Sequence, residues 1–201
     1  VTHIHLSAIH FGLDENSKPY IHLNNYPPEY GKYKKVWNDV KAAQNLGIKV
    51  VLMLGGAGSA YYDLFKNYDV YFPLLINTIK KYNLDGIDLD IEEYASIDNV
   101  RRIISDLDQI FDSNFIISMA PIQTSLQNNN PGMGGFIYKD LFNTKEGQRI
   151  NYFNGQFYGD FSLSAYKAVI DNGYPEEKVV MGMISSQDFQ NNLKVMKEVI
   201  I

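Results

Sequence analysis

Short β-rich apolar runs alternate along the chain with segments of helical period, and that alternation predicts an α/β fold of repeated βα units, either an open parallel sheet or part of a TIM (β/α)8 barrel, rather than a sandwich or bundle. Three longer polar segments, 14–30, 56–69 and 123–135, each follow a predicted strand and precede a predicted helix. In a parallel array all three open on the carboxyl-terminal edge, where such sheets bind ligands. No linker or low-complexity stretch divides the chain, so residues 1–201 read as one domain, a partial barrel of about six βα units. That is two units short of a closed eightfold barrel, so either the sheet is open or strands at both ends are absent from this chain.

The predicted strands are 3–11, 49–54, 86–90, 115–120, 152–158 and 179–184, all short and apolar or alternating. After the first, Val36, Val40, Ala43 and Leu46 recur at helical spacing, and Gly47 stands where a helix stop is expected. Phe72, Leu75, Ile76 and Ile79 follow the second strand, and Val100, Ile103, Ile104, Leu107 and Phe111 follow the third. Leu141 and Phe142 mark a short helix before the fifth strand. Ala165, Ala168 and Val169 mark another, stopped by Gly173 and Pro175, and Leu193, Met196 and Ile200 mark the last.

Composition narrows the function. With 45% hydrophobic and 20% charged residues among 201, the chain can bury a core, and disorder is excluded. Its formal charge is −5 and no Lys/Arg cluster occurs, so it lacks the electrostatic footprint of a nucleic-acid or anionic-membrane binder. Apolar runs such as 50–54 stop far short of the roughly 20 residues of a membrane span. The absence of cysteine removes disulfides, thiol catalysis and cysteine metal sites but leaves the compartment open, with secretion favoured. Val1 in place of Met, with neither a charged n-region nor an apolar h-region behind it, points to a natural start or signal peptide having been removed.

The most informative stretch is Leu84-Asp85-Gly86-Ile87-Asp88-Leu89-Asp90-Ile91-Glu92-Glu93-Tyr94. Ile87, Leu89 and Ile91 alternate with Asp88, Asp90 and Glu92, so a strand here puts three apolar side chains against the helices and three carboxylates on the barrel-facing side. Carboxylates about 6–7 Å apart on one partly desolvated face cannot all ionise freely. At least one should hold a proton near neutrality, as general-acid chemistry requires. An exposed acidic edge strand is a competing reading, opposed by the apolar alternation. A divalent metal site is another: the calcium-loop pattern fails because Gly86 precedes the second acid, and magnesium stays open.

Residues 85–92 match Asp-Gly-x-Asp-x-Asp-x-Glu at every fixed position, and here the sequence resembles glycoside hydrolase family 18, the chitinases and endo-β-N-acetylglucosaminidases. Thr2-His3-Ile4, Gly55-Gly56, Ala120-Pro121 and Gln156-Phe157-Tyr158 follow in the family's order, so the resemblance covers nearly the whole chain. It implies that Glu92 is the general acid and that the nucleophile is the substrate's own acetamido oxygen, a substrate-assisted variant of the two-carboxylate scheme. It further implies that Asp90 accepts the acetamido N–H, Asp88 shares a proton with Asp90, Tyr158 donates to the acetamido oxygen, and Gln156 contacts the same sugar. Gly56 and Tyr94 are further substrate-binding candidates, and no cofactor or metal is expected. The implied ligand is an N-acetylglucosamine-containing oligosaccharide or polysaccharide. Asp85 has the opposite parity and reads as structural.

Blander readings stand beside these. Tyr158 is one of 15 tyrosines and without Gln156 would read as core. Gly55 and Gly56 would serve a sharp turn equally well. His3, His5, His10 and His22 show no ligand spacing joined to the acids, and Trp37 falls in a helical pattern as scaffold. The chain also departs from the family. Met53 stands where many members place a Ser that bonds the acidic cluster, Gly159 replaces an Asp that often follows the Tyr, and the first and last barrel strands have no counterpart, the last normally carrying a subsite Trp. The leading expectation is cleavage of β-1,4-linked N-acetylglucosamine in chitin or chitooligosaccharides. Glu93-Tyr94-Ala95 keeps an endo-β-N-acetylglucosaminidase of N-glycans open, and a non-catalytic, lectin-like binder or a magnesium enzyme on the same fold are the readings from other classes.

Overall fold

A computed structural model describes residues 1–184 and 189–199. Strands β1 (His3–Leu13) and β2 (Pro19–Leu23) lead through a 3-10 turn at Gly31–Tyr33 into α1 (Lys34–Asn45). Then come β3 (Lys49–Gly56), α2 (Ala60–Lys66), α3 (Tyr68–Lys81), β4 (Gly86–Ile91) and α4 (Ile97–Ile110). The second half runs β5 (Ile116–Met119), α5 (Gln123–Gln127), α6 (Tyr138–Phe142), α7 (Lys145–Gln148), β6 (Tyr152–Gln156), α8 (Leu163–Asp171), β7 (Val179–Gly182) and α9 (Phe189–Val199). The strands form one open sheet in the order β2-β1-β3-β4-β5-β6-β7. All neighbours are parallel except the antiparallel pair β1 and β2.

The six predicted strands are β1 and β3 to β7, the parallel set of a partial barrel. The seventh, β2, lies inside the polar segment 14–30. A Pro at its start and only two inward apolar residues hid it, yet Ile21 and Leu23 are buried beside Ile9 and Phe11 under α3. Segments 56–69 and 123–135 likewise contain α2 and α5, and α7 precedes β6. These helices have four to seven residues, too short for periodicity to register, and tertiary contacts hold them. Of the predicted final helix, Leu193 and Met196 lie in α9, whereas Ile200 falls outside the described residues.

The crossover helices follow the predicted pattern. In α4 the Ser96 hydroxyl accepts the Asn99 N–H as an N-cap, and Val100, Ile103, Ile104 and Leu107 are buried. Trp37 is scaffold: its ring stacks on Tyr82 at 3.6 Å and its indole N–H donates to Pro28 O at 2.7 Å. All six residues of β4 are buried between β3 and β5, so its odd-numbered residues join the helix-side core and its even-numbered carboxylates face the other way.

Candidate active site

The register of the central strands builds the site. Asp88 lies opposite Met53 on β3 and Ser118 on β5, and Asp90 lies opposite Gly55. Asp88 and Asp90 are 1% and 5% exposed, while Glu92, just beyond the end of β4, is half-buried. Burying two carboxylates side by side is costly unless donors reach them. Ser118 Oγ donates to Asp88 Oδ1 at 2.5 Å, and His5 Nδ1 stands 3.4 Å from Asp88 Oδ2. The hydroxyl that Met53 does not supply from β3 therefore comes from β5. Sequence reasoning did not name Ser118 and gave His5 no link to the acids; the signal was a Ser inside an otherwise apolar strand and the period-2 spacing of His3 and His5.

Gln156, at the end of β6, ties the acids together. Its amide N–H group donates to Asp90 Oδ1 at 3.2 Å, Glu92 Oε1 at 3.1 Å and Ala120 O at 2.9 Å. Burial, reinforced by the charges of Glu92 and Asp88, pushes the Asp90 carboxyl up to about 7, against the opposing pull of the Gln156 hydrogen bond. Asp90 is thus the member of the cluster whose carboxyl is raised into the neutral range. Burial and the same three carboxylates, Asp90 foremost, also raise the Tyr158 hydroxyl. Tyr61 and Tyr138 are fully buried beside the acids, and their hydroxyls are raised by burial first and by Asp90 and Asp88 next. The structure thus brings together Asp88, Asp90, Glu92, Gln156 and Tyr158.

Two glycines set the approach. Gly55 has φ +98°, and a Cβ there would fall 2.3 Å from Asp90 O, while a Cβ on Gly56 would lie 3.5 Å from Asp90 Oδ2. Both glycines are thus required by the backbone, Gly56 having φ +79°, and a Cβ on Gly56 would also crowd Met53 Cε at 3.1 Å. Tyr94 is 77% exposed, and its ring edge packs over Gly135, where a Cβ would come within 3.0 Å. It stands on the rim, two residues beyond Glu92. Glu93 points elsewhere: its carboxylate accepts the Tyr61 N–H at 2.7 Å and the Tyr62 N–H at 3.4 Å, capping α2. Asp85 is structural, accepting from Gln44 Nε2, Lys49 Nζ and Val50 N–H at 2.9–3.0 Å. Burial alone would raise its pKa, but these donors hold it below the usual range.

Among the described residues, no group of three or more His, Asp or Glu side chains has the geometry to hold a metal ion, and no helix is long and apolar enough to cross a membrane. Residues 1–197 match the family described as glycosyl hydrolases family 18. Endochitinase 4 of Metarhizium robertsii is 29% identical over 153 residues, which is 66% of this chain and 44% of that protein. Chitinase 2 of Rhizopus oligosporus is 36% identical over 94 residues, 41% of this chain and 17% of that protein. The chain thus spans less than half the length of these two relatives. Among solved structures, a fungal endo-β-N-acetylglucosaminidase of glycosyl hydrolase family 18 superposes with TM-score 0.88 at 26% identity, over 100% of this chain and 75% of that one. A chitinase from Aspergillus fumigatus superposes with TM-score 0.85 at 29% identity, over 98% and 76%.

Proposed function

The chain belongs to glycosyl hydrolase family 18, and from that premise we propose that it is the catalytic domain of a glycosidase cleaving β-1,4-linked N-acetylglucosamine in chitin or chitooligosaccharides. The observation that carries the reading is the Gln156 amide, whose N–H group bonds Asp90 and Glu92 together. A substrate acetamide N–H can make the same bond to Asp90. Asp88 and Asp90 project from β4 and Glu92 from the residue just beyond its end, and in this family the nucleophile is the substrate's own acetamido oxygen.

Glu92, the most exposed of the three, protonates the glycosidic oxygen as the acetamido oxygen attacks the anomeric carbon. The C–O bond to the leaving sugar breaks and a cyclic oxazolinium forms. Asp90 accepts the acetamido N–H and stabilises the developing positive charge, its own proton passing to the neighbouring carboxylate of Asp88, with which it titrates as a pair. Tyr158 donates to the acetamido oxygen and aims it. Water, deprotonated by Glu92, then opens the oxazolinium with net retention. Gly56 admits the sugar, and Tyr94 offers an aromatic rim to it.

A second reading is an endo-β-N-acetylglucosaminidase acting on N-glycans, favoured by the superposition at TM-score 0.88 and by Glu93-Tyr94-Ala95. Incubation with chitotetraose and, separately, a high-mannose glycopeptide, read by mass spectrometry with Glu92→Gln as control, decides between them. Chitobiose released only by the unmodified protein supports the first; glycan released with one N-acetylglucosamine left on the peptide supports the second. Binding without cleavage of either would leave a lectin-like protein.

A further inference from the structure

The proposed mechanism gives no task to a half-buried imidazole at the base of the acidic cluster. His5, on β1, places Nε2 2.8 Å from the Tyr152 hydroxyl and Nδ1 3.4 Å from Asp88 Oδ2. Nδ1 is itself fully buried and has no hydrogen-bond partner, its 3.4 Å approach to Asp88 Oδ2 falling short of hydrogen-bond geometry. An unprotonated imidazole nitrogen facing an ionised carboxylate would set lone pair against lone pair, so this contact needs a proton between the two atoms. When the Tyr152 hydroxyl donates to Nε2, that proton sits on Nδ1, and it does so equally when the ring is doubly protonated. On the other side of Asp88 the β3 position holds the thioether of Met53, which donates nothing.

Resting on the functional reading above, we propose that His5 is a positioning residue for the acidic pair. Its Nδ1–H faces Asp88 Oδ2 and, with Ser118 on Oδ1, keeps Asp88 the ionised member, so that the shared proton stays on Asp90 until substrate arrives. The raised Asp90 carboxyl agrees with that distribution. The other titratable groups around Asp88 are Asp90 and Glu92 on its own strand segment, Tyr61 of α2, Tyr138 of α6, Tyr152 of β6 and Tyr158 beyond it. The Tyr152 hydroxyl is engaged by His5 Nε2 and by Ser118. His3 lies farther out, facing His5, Asp85 and Lys49.

The test compares two variants with the unmodified protein on one chitooligosaccharide. His5→Phe keeps a ring of similar size but removes the donor. Removing a donor from a carboxylate raises its pKa, so the acid limb of the kcat/KM profile should move up by roughly one pH unit, with KM changed far less than kcat. His5→Asn puts an amide N–H in the place of Nδ1 and should return the limb toward its original position, although its link to Tyr152 is lost. An unmoved limb in His5→Phe, or an equal shift in both variants, overturns the proposal. Should His5→Phe not fold, nitrogen-15 NMR of the unmodified protein decides: Nδ1 protonated across the active pH range is the expected result, and a bare Nδ1 overturns it. If the unmodified protein cleaves no N-acetylglucosamine substrate, the functional reading fails, and the same NMR measurement still judges the His5–Asp88 contact.

Discussion

Replacing Asp90 by Asn should stabilise the fold while abolishing turnover, and the gain should depend on pH. Asp90 is 5% exposed and its carboxyl is pushed up from 3.8 to about 7 by burial and by Glu92 and Asp88. Below about pH 4 the group is protonated in both folded and unfolded chains and costs nothing. Between about pH 4 and 7 the unfolded chain releases the proton and the folded one keeps it, so stability falls as pH rises. Above about pH 7 the cost is complete. A shift of about three pH units corresponds to about 4 kcal/mol as an upper bound, and the part that Asn retains as a buried polar group reduces the gain to about 2–4 kcal/mol. The Gln156 N–H still finds an oxygen on Asn, so no donor is orphaned. Urea unfolding of both proteins at pH 4, 6 and 8 should show a difference near zero at pH 4 that reaches its full size at pH 8. A difference that is equal at pH 4 and 8, or a variant no more stable than the parent at pH 8, would refute the placement of the proton on Asp90.

Three other outcomes follow from the same geometry. Gly55→Ala should cost more than about 3 kcal/mol in thermal or chemical unfolding, because φ +98° and a Cβ 2.3 Å from Asp90 O combine backbone strain with a clash that no rotamer relieves. Glu93→Ala should lower stability by about 1 kcal/mol through loss of the α2 cap, with kcat nearly unchanged, whereas Glu92→Gln should do the reverse, which a paired melting and activity assay resolves. Tyr94→Ala should raise KM for chitooligosaccharides several-fold and leave the pH profile in place, since the ring lies on the rim and bonds none of the acids.

Much of this site was legible because strand geometry is strictly periodic: once 84–94 reads as a strand, the parity of Asp88, Asp90 and Glu92 follows, as does the exclusion of Asp85. The spacing of Gln156 and Tyr158 announced a second strand end at the same edge, although Gln156 proved to bond the acids themselves. What escaped depended on register between strands distant in sequence. Asp88 meets Ser118 across 30 positions, and His5 meets Tyr152 across 147, pairings that no local pattern encodes. Glu93 sat in the motif's run of acids, and only the fold shows that it caps a helix built from residues 60–66. The short helices and β2 escaped for a related reason, since their stability comes from packing against elements already formed rather than from their own period.

The central claim is substrate-assisted cleavage with Glu92 as the acid, and the configuration of the first sugar released tests it most directly. Proton NMR of chitotetraose digestion, recorded before mutarotation, should show the new reducing end as the β-anomer, with no product from Glu92→Gln. An α-anomer would mean direct attack by water and inversion, and cleavage that survives Glu92→Gln would take the acid away from Glu92; either contradicts the account.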